Sequence, residues 1–73
     1  MATIKRFDVK SSNIRSIGYD HDTQTLEVEF NKGDVYQYSD VPPEVWVQFK
    51  GADSIGKYFH SHIRNGGYTF TKI

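Results

Sequence analysis

The chain has 73 residues, no cysteine, and equal numbers of basic and acidic residues, nine of each. This length fits one domain, and the lack of cysteine excludes disulfides, thiolate metal ligands and thiol catalysis. No segment approaches the ~20 apolar residues of a membrane span, and residues 1–10 show no secretory signal. We therefore expect a single domain, residues 1–73, in the cytoplasm and without membrane contact.

The formal charges are unevenly distributed along the chain. Residues 1–19 and residues 45–73 each carry a net charge of +3, whereas residues 20–44 carry −6. Such asymmetry permits a basic binding surface on a neutral protein. The alternative is that the opposite charges attract each other across the fold, and the sequence leaves both interpretations open.

The first half of the chain has the residue pattern of β-strands. The predicted strands cover residues 3–9 (a strand or an arm), 14–19, 25–30 and 34–38. Residues 25–30 alternate strictly and place Leu26, Val28 and Phe30 on one face, as a half-buried strand does. Asn31-Lys32-Gly33 then predicts a three-residue hairpin connection with glycine in the left-handed position.

Two short helices are predicted next. Pro43 and Glu44 suit a first helical turn, where a missing N–H costs nothing and a negative charge complements the helix dipole. Gly51 ends this helix, and Asp53 or Ser54 caps the next one.

The second helix has two distinct stripes. The apolar stripe follows the i, i+3, i+4, i+7, i+8 spacing of a buried face and consists of Ile55, Tyr58, Phe59, His62 and Ile63. The polar stripe consists of Lys57, His60, Ser61 and Arg64.

The tail, residues 68–73, alternates and is either a last strand or a disordered end. The predicted fold is therefore α+β, with an antiparallel sheet of three to four strands in the order β-β-β-α-α and a possible C-terminal β-strand. Both helices are expected on one face of the sheet, where they cover Leu26, Val28 and Phe30.

Between residues 9 and 64 the chain resembles the KTSC family, a small bacterial domain also found at the C-terminus of some lysyl-tRNA synthetases. The similar segments are Ser11-Ser12-Asn13-Ile14, Ile17-Gly18-Tyr19-Asp20, Leu26-Glu27-Val28-Glu29-Phe30, Gly33-Asp34-Val35-Tyr36-Gln37-Tyr38, Val41-Pro42, Ala52-Asp53-Ser54-Ile55-Gly56-Lys57-Tyr58-Phe59 and Ile63-Arg64. The resemblance implies an association with RNA through the synthetases, and it implies no catalytic residues.

Tyr36 and Tyr38 share one face of their strand and are candidate aromatic contacts for bases. Their role depends on the hairpin register. If the loop is residues 31–33, Val28 faces Tyr36 and Leu26 faces Tyr38, and both rings join the apolar face. If the loop also includes Asp34, the rings stand beside acidic side chains instead. The first register gives both rings a packing role, and in the second the acidic face would repel phosphates, so both registers weaken the interpretation as a stacking surface.

The second helix is the preferred site for nucleic acid or another anion. The candidate residues are Ser54, Gly56, Lys57, His60 and Arg64. A hydroxyl, a glycine and free N–H groups at a helix N-terminus suit phosphate, and the basic residues suit contacts with a phosphate backbone. Ordinary capping, close helix packing and a solvated face are the alternatives.

No cofactor or metal is expected. His60 and His62 lie two apart on a helix and point about 200° away from each other, and no catalytic motif appears. The leading hypothesis is a non-catalytic module that binds RNA or a nucleotide. The alternative is a protein-interaction or regulatory module that recruits another protein through the C-terminal segment. The oligomeric state is not predicted.

Overall fold

The structure, a computed structural model, describes residues 4–73. Its single sheet has five antiparallel strands in the order β1-β2-β3-β4-β5. The strands are β1 (Arg6–Asp8), β2 (Ile14–Asp20), β3 (Thr25–Phe30), β4 (Val35–Tyr38) and β5 (Phe70–Lys72). The α+β class is confirmed, whereas the predicted count of three to four strands is wrong.

The strand count was too low because both uncertain terminal segments form strands. β1 pairs with β2, with Phe7 opposite Ile17, and β5 pairs with β4, with Phe70 opposite Tyr38. Each terminal strand has only three residues. Segments this short show little periodicity of their own, and the neighbouring strand supplies the hydrogen bonds that define them.

The central hairpin has the shorter of the two loops considered above. Phe30 N–H donates to the Asp34 carbonyl at 2.8 Å, and Gly33 has a φ of +100°. Val28 therefore lies opposite Tyr36, and Leu26 lies opposite Tyr38 two pairs further along. Both tyrosines point to the apolar face of the sheet.

Two helices pack on this apolar face. Helix α1 (Pro43–Lys50) has proline in its first turn and is followed by Gly51. Helix α2 (Ile55–Tyr58) is a single turn, and its chain continues directly into a π-helical segment (Phe59–Arg64). The sequence pattern predicted one regular α-helix here. π-helical turns inside α-helices are rare and occur frequently at functional sites.

The hydrophobic core lies between the sheet and the helices. Leu26 and Val28 of the sheet are fully buried, as is Phe49 of α1. Helix α2 and the π-helical segment together form the second helical region, residues 55–64. This region contributes Ile55, Phe59 and Ile63, which follow the predicted apolar stripe. The expected covering of the central hairpin by the helices is confirmed.

The opposite face of the sheet is polar but not fully solvated. Glu27 is only 4% exposed and bonds to the guanidinium of Arg6 and to Nε2 of Gln37, the latter at 2.8 Å. The Arg6 side chain therefore lies on this polar face, where Glu27 neutralises its charge. Among residues 4–73, no helix is long and apolar enough to cross a membrane.

Candidate functional site

A groove runs along one side of the second helical region. It consists of two adjoining hollows of about 480 and 540 Å³ that share Asn13, Gly56 and His60 as lining residues. The smaller one, the polar half, lies between residues 10–13 and residues 53–61. The larger one, the aromatic half, lies between residues 56–65 and the β4–β5 end of the sheet.

Basic side chains line both halves of the groove. Lys10 and Lys57 line the polar half, Lys32 and Arg64 line the aromatic half, and His60 lines both. Within residues 4–73, none of these lysines or the arginine has a carboxylate at salt-bridge distance. Their charges are therefore available to a ligand.

The groove also contains two carboxylates. Asp34 in the aromatic half accepts the ammonium of Lys72 at 3.4 Å, and this pair reduces its charge toward a ligand. Asp53 lines the polar half. The four cations named above therefore outnumber the acids, and the groove is basic although the whole chain has a formal charge of zero.

The aromatic half takes its name from the rings that line it. Phe70 packs against Tyr36 and Tyr38 with ring centroids 5.7 and 5.5 Å away. Tyr36 in turn contacts Phe30, and Tyr38 contacts Phe59, both edge to face at 5.7 Å. Tyr38 is buried and Tyr36 is half-buried, so the tyrosines pack mainly as the hairpin register requires.

The hydroxyl group of Tyr38 is influenced by the charge of Arg64. Burial raises the pKa of Tyr38 above its ordinary value, and the nearby Tyr36 acts in the same direction, while Arg64 acts against them. The Tyr38 hydroxyl is therefore neutral at physiological pH and can donate a hydrogen bond. Arg64 lies near enough to influence that hydroxyl electrostatically.

Ser54 and Gly56 have structural roles in the polar half. Ser54 caps α2, and its Oγ accepts a hydrogen bond from the Lys57 N–H at 3.3 Å. A Cβ added to Gly56 would lie 3.1 Å from Ser11 Oγ and 3.2 Å from Asn13 Oδ1. The glycine thus permits close packing of the helix on the loop between β1 and β2. A phosphate role for these two residues stays a prediction.

The two histidines of the second helical region lie in different places. His60 lines the groove, whereas His62 is exposed and its ring lies over Tyr58 at a centroid distance of 4.4 Å. Within residues 4–73, no group of three or more His, Cys, Asp or Glu side chains is placed to hold a metal ion.

Sequence reasoning placed Lys57, His60 and Arg64 on one stripe, and the structure brings them to one groove. It missed Lys32 and Phe70 as site residues. The alternation of residues 68–73 was a signal for Phe70, because it put the ring on the same face as Tyr68. Nothing local indicates that Lys32, in the hairpin loop, reaches the second helical region.

The fold and this groove define a small α+β domain with an open, basic and partly aromatic cleft. The family model of the KTSC domain matches residues 10–68. The chain therefore belongs to the KTSC domain family.

Proteins of known sequence and structure are similar to nearly the whole chain. A protein of Stutzerimonas stutzeri is 43% identical over 70 residues, which are 96% of this chain and 99% of that protein. The crystal structure of a KTSC domain protein from Yersinia pestis has a TM-score of 0.88 and 40% identity. That match covers 97% of this chain and 99% of the crystallised one.

The chain is also similar to one part of a larger protein. The lysine–tRNA ligase of Nostoc punctiforme is 38% identical over 64 residues, which are 88% of this chain but only 11% of the ligase. The chain thus spans about a tenth of that enzyme's length.

Proposed function

We propose that this domain is a non-catalytic module that binds RNA or another single-stranded nucleic acid in the groove. The observation that carries the proposal is the meeting of unpaired cations and aromatic rings in one open cleft. Single-strand binders combine these two features, because cations follow the phosphate backbone while rings stack on bases.

The charge distribution supports the proposal. Lys10 and Lys57 border the polar half, and Lys32 and Arg64 border the aromatic half, so positive charge extends along the whole groove. Arg6, by contrast, is neutralised by Glu27 on the other face of the sheet. The groove therefore attracts a nucleic acid better than the surface around Arg6 does, and such a local basic surface is the electrostatic footprint expected of a neutral binding protein.

The similarity to lysine–tRNA ligases is a second line of support. In Nostoc and Trichormus species, the segment that is similar to this chain forms a small part of a protein named lysine–tRNA ligase. A small domain attached to such an enzyme has a clear use if it contacts RNA, since it adds affinity without adding chemistry. A location in the cytoplasm is part of this proposal.

The test is a titration of fluorescent single-stranded RNA and DNA at two salt concentrations, with affinity read by anisotropy. We expect affinity to fall as salt rises, by about 0.7 in the log–log slope for each phosphate contacted. The double variant Lys57→Gln/Arg64→Gln should weaken binding and reduce that slope by about 1.4.

A matched control is Lys50→Gln, because Lys50 lies over the Trp46 ring on α1 and does not line the groove. This variant should keep the affinity and the slope of the unaltered domain. An absence of salt-dependent binding at micromolar protein concentrations would refute the proposal. An equal loss in Lys50→Gln would show that the groove is not the site.

The free edge of β5 favours a second candidate function, recruitment of another protein. The Ile73 N–H donates to the Val35 carbonyl and the Ser39 N–H donates to the Thr69 carbonyl, so residues 69, 71 and 73 face β4. In an antiparallel ladder the N–H groups of Phe70 and Lys72 then point to the open edge. Exposed strand edges accept an added strand from a partner.

This candidate is tested by comparing Lys72→Pro with Lys72→Ala. Both remove the same ammonium group, but only proline removes the outward N–H. If β5 recruits a partner strand, a partner isolated from native lysate is retained by Lys72→Ala and lost by Lys72→Pro. Equal retention by both variants would exclude strand addition at this edge.

A further inference from the structure

Phe70 is the most exposed ring of the aromatic half. It is 55% exposed, although it packs against two tyrosines and lies on the face of the sheet that the helices cover. The second helical region covers Tyr38 but leaves the Phe70 ring open to solvent. An uncovered ring beside a hollow of about 540 Å³ offers a flat apolar surface to a ligand.

The surroundings hold this ring in place before any ligand arrives. Tyr36 and Tyr38 support Phe70 from the sheet, with interplanar angles of 34° and 36°. Phe30 and Phe59 support the tyrosines in turn, through edge-to-face contacts. A ligand that stacks on Phe70 therefore needs little reorganisation of the protein, which favours affinity.

The polar atoms around the hollow suit the edge of a nucleobase. Arg64 and Asn65 border the same hollow from the end of the π-helical segment, and Lys32 borders it from the hairpin loop. An asparagine side chain both donates and accepts hydrogen bonds, as base edges do. Arginine donates in its own plane and also stacks on rings.

Given that the groove binds nucleic acid, we propose that its aromatic half receives one unstacked base of a single strand, with the ring of Phe70 as the stacking partner. The neighbouring phosphates then lie along the polar half, near Lys57 and Lys10. This deepens the proposed function, because it specifies a contact with a base, names the ring that makes it, and accounts for the exclusion of a duplex. Bases inside a duplex are stacked on each other and cannot reach a protein ring.

The experiment compares three labelled ligands by anisotropy at low salt. They are an RNA of about ten nucleotides, a length within the ~4–16 nucleotides that small single-strand modules cover, the same strand in a duplex, and a ribose-phosphate backbone of equal length without bases. The single strand should bind at least about tenfold more tightly than either of the others, a factor typical of one stacked base.

Variants at two neighbouring positions of β5 locate the contact. Phe70→Ala should weaken binding of the single strand about tenfold and leave binding of the base-free backbone unchanged. Phe70→Tyr keeps an aromatic ring and should restore the affinity. Thr71→Ala is the matched control, because Thr71 pairs with Gln37 on the polar face of the sheet and should behave as the unaltered domain.

The outcomes separate this inference from the proposed function. Equal, salt-dependent binding of the intact strand and the base-free backbone would mean that the groove holds only phosphates, and the base site would be refuted. Tight binding of the duplex would also refute it. If no nucleic acid binds at all, both proposals fall together. Circular dichroism of Phe70→Ala should match the unaltered domain, since the ring is largely exposed.

Discussion

Glu27 is a carboxylate that the sheet buries on its polar face. One oxygen accepts the Gln37 amide at 2.8 Å, and the other accepts the Arg6 guanidinium. Glu29 is more exposed, receives a hydrogen bond from Ser16 at 2.8 Å, and lies 3.9 Å from Arg6. These two glutamates of β3 differ mainly in burial, so they allow a matched comparison.

We predict that Glu27→Gln lowers the free energy of unfolding by about 1.5–3 kcal/mol, because it removes the negative charge from a buried, charge-assisted hydrogen bond. Glu29→Gln should cost less than about 1 kcal/mol, since its ion pair is longer and better solvated. Urea unfolding of both variants measures the difference. Equal losses in the two variants would mean that the burial of Glu27 does not increase its contribution to the free energy of unfolding.

Tyrosine ionisation gives a second prediction at the residue scale. Burial raises the pKa of Tyr19, Tyr38 and Tyr58 above the ordinary value of 10.0. Above about pH 10 the unfolded chain then loses protons that the folded state keeps, so stability falls as pH rises further. Below that pH these groups bind the same number of protons in both states, and they contribute no pH dependence.

The measurement is thermal unfolding of the unaltered domain and of Tyr38→Phe between pH 8 and 11. The phenylalanine variant has no phenol at the position where burial raises the pKa. It should therefore lose less stability between pH 9.5 and 11 than the unaltered domain does. Parallel losses would show that Tyr38 ionises equally well in the folded and unfolded states.

At the scale of single elements, β1 depends on a glycine of its neighbour. A Cβ added to Gly18 of β2 would lie 2.5 Å from the Lys5 carbonyl oxygen, a backbone atom that cannot rotate away. The absence of a side chain thus allows β1 to approach. This strand has only three residues and pairs with β2 alone, so its approach to Gly18 has a large influence on it.

We therefore predict that Gly18→Ala destabilises the domain by about 1–3 kcal/mol, as overpacking does, and exposes the amides of Arg6–Asp8 to hydrogen exchange. Gly51→Ala is the matched control, because Gly51 has an ordinary φ of −98° and its nearest neighbour is at 3.4 Å. That change should stay within about 0.5 kcal/mol. Unchanged protection of β1 in Gly18→Ala would contradict the packing argument.

The π-helical segment is the other element with consequences for the site. It follows directly on α2 and carries both Phe59, which is buried against the sheet, and Arg64, which borders the groove. A wider helical turn changes the direction of the side chains after Tyr58 relative to a regular α-helix. Arg64 nevertheless borders the aromatic half, as the regular helical spacing predicted.

For the molecule as a whole, small size sets the margin of stability. A domain of 73 residues has a free energy of unfolding of about 4–11 kcal/mol on the usual scale per residue. Phe49 is fully buried and packs against Tyr58 and Phe59, with ring centroids 5.7 and 6.4 Å away. One such side chain accounts for a large part of that margin.

We predict that Phe49→Ala lowers the free energy of unfolding by about 3–5 kcal/mol and leaves a substantial unfolded fraction at 37 °C. Val47→Ala on the same helix is the control, because Val47 is 55% exposed. It should change stability by less than about 0.5 kcal/mol. Thermal unfolding followed by circular dichroism distinguishes the two, and similar midpoints for both variants would contradict the assigned core.

The sequence by itself determined the elements whose signals are local. The strict alternation of residues 25–30 predicted β3, the glycine at position 33 predicted the hairpin turn, and Pro43 marked the start of α1. Each of these follows from the backbone preferences of a few adjacent residues, so no distant contact was needed. The stripe of Lys57, His60 and Arg64 was visible for the same reason.

Only the tertiary structure decided what lies far apart in the chain. Whether residues 6–8 and 70–72 form strands depends on the neighbours that pair with them, since three residues carry too little pattern. The groove joins residues 10–13, the hairpin loop and the second helical region. Its cations are neighbours because the core packs the helices onto the hairpin. No local periodicity of the sequence predicts that long-range packing.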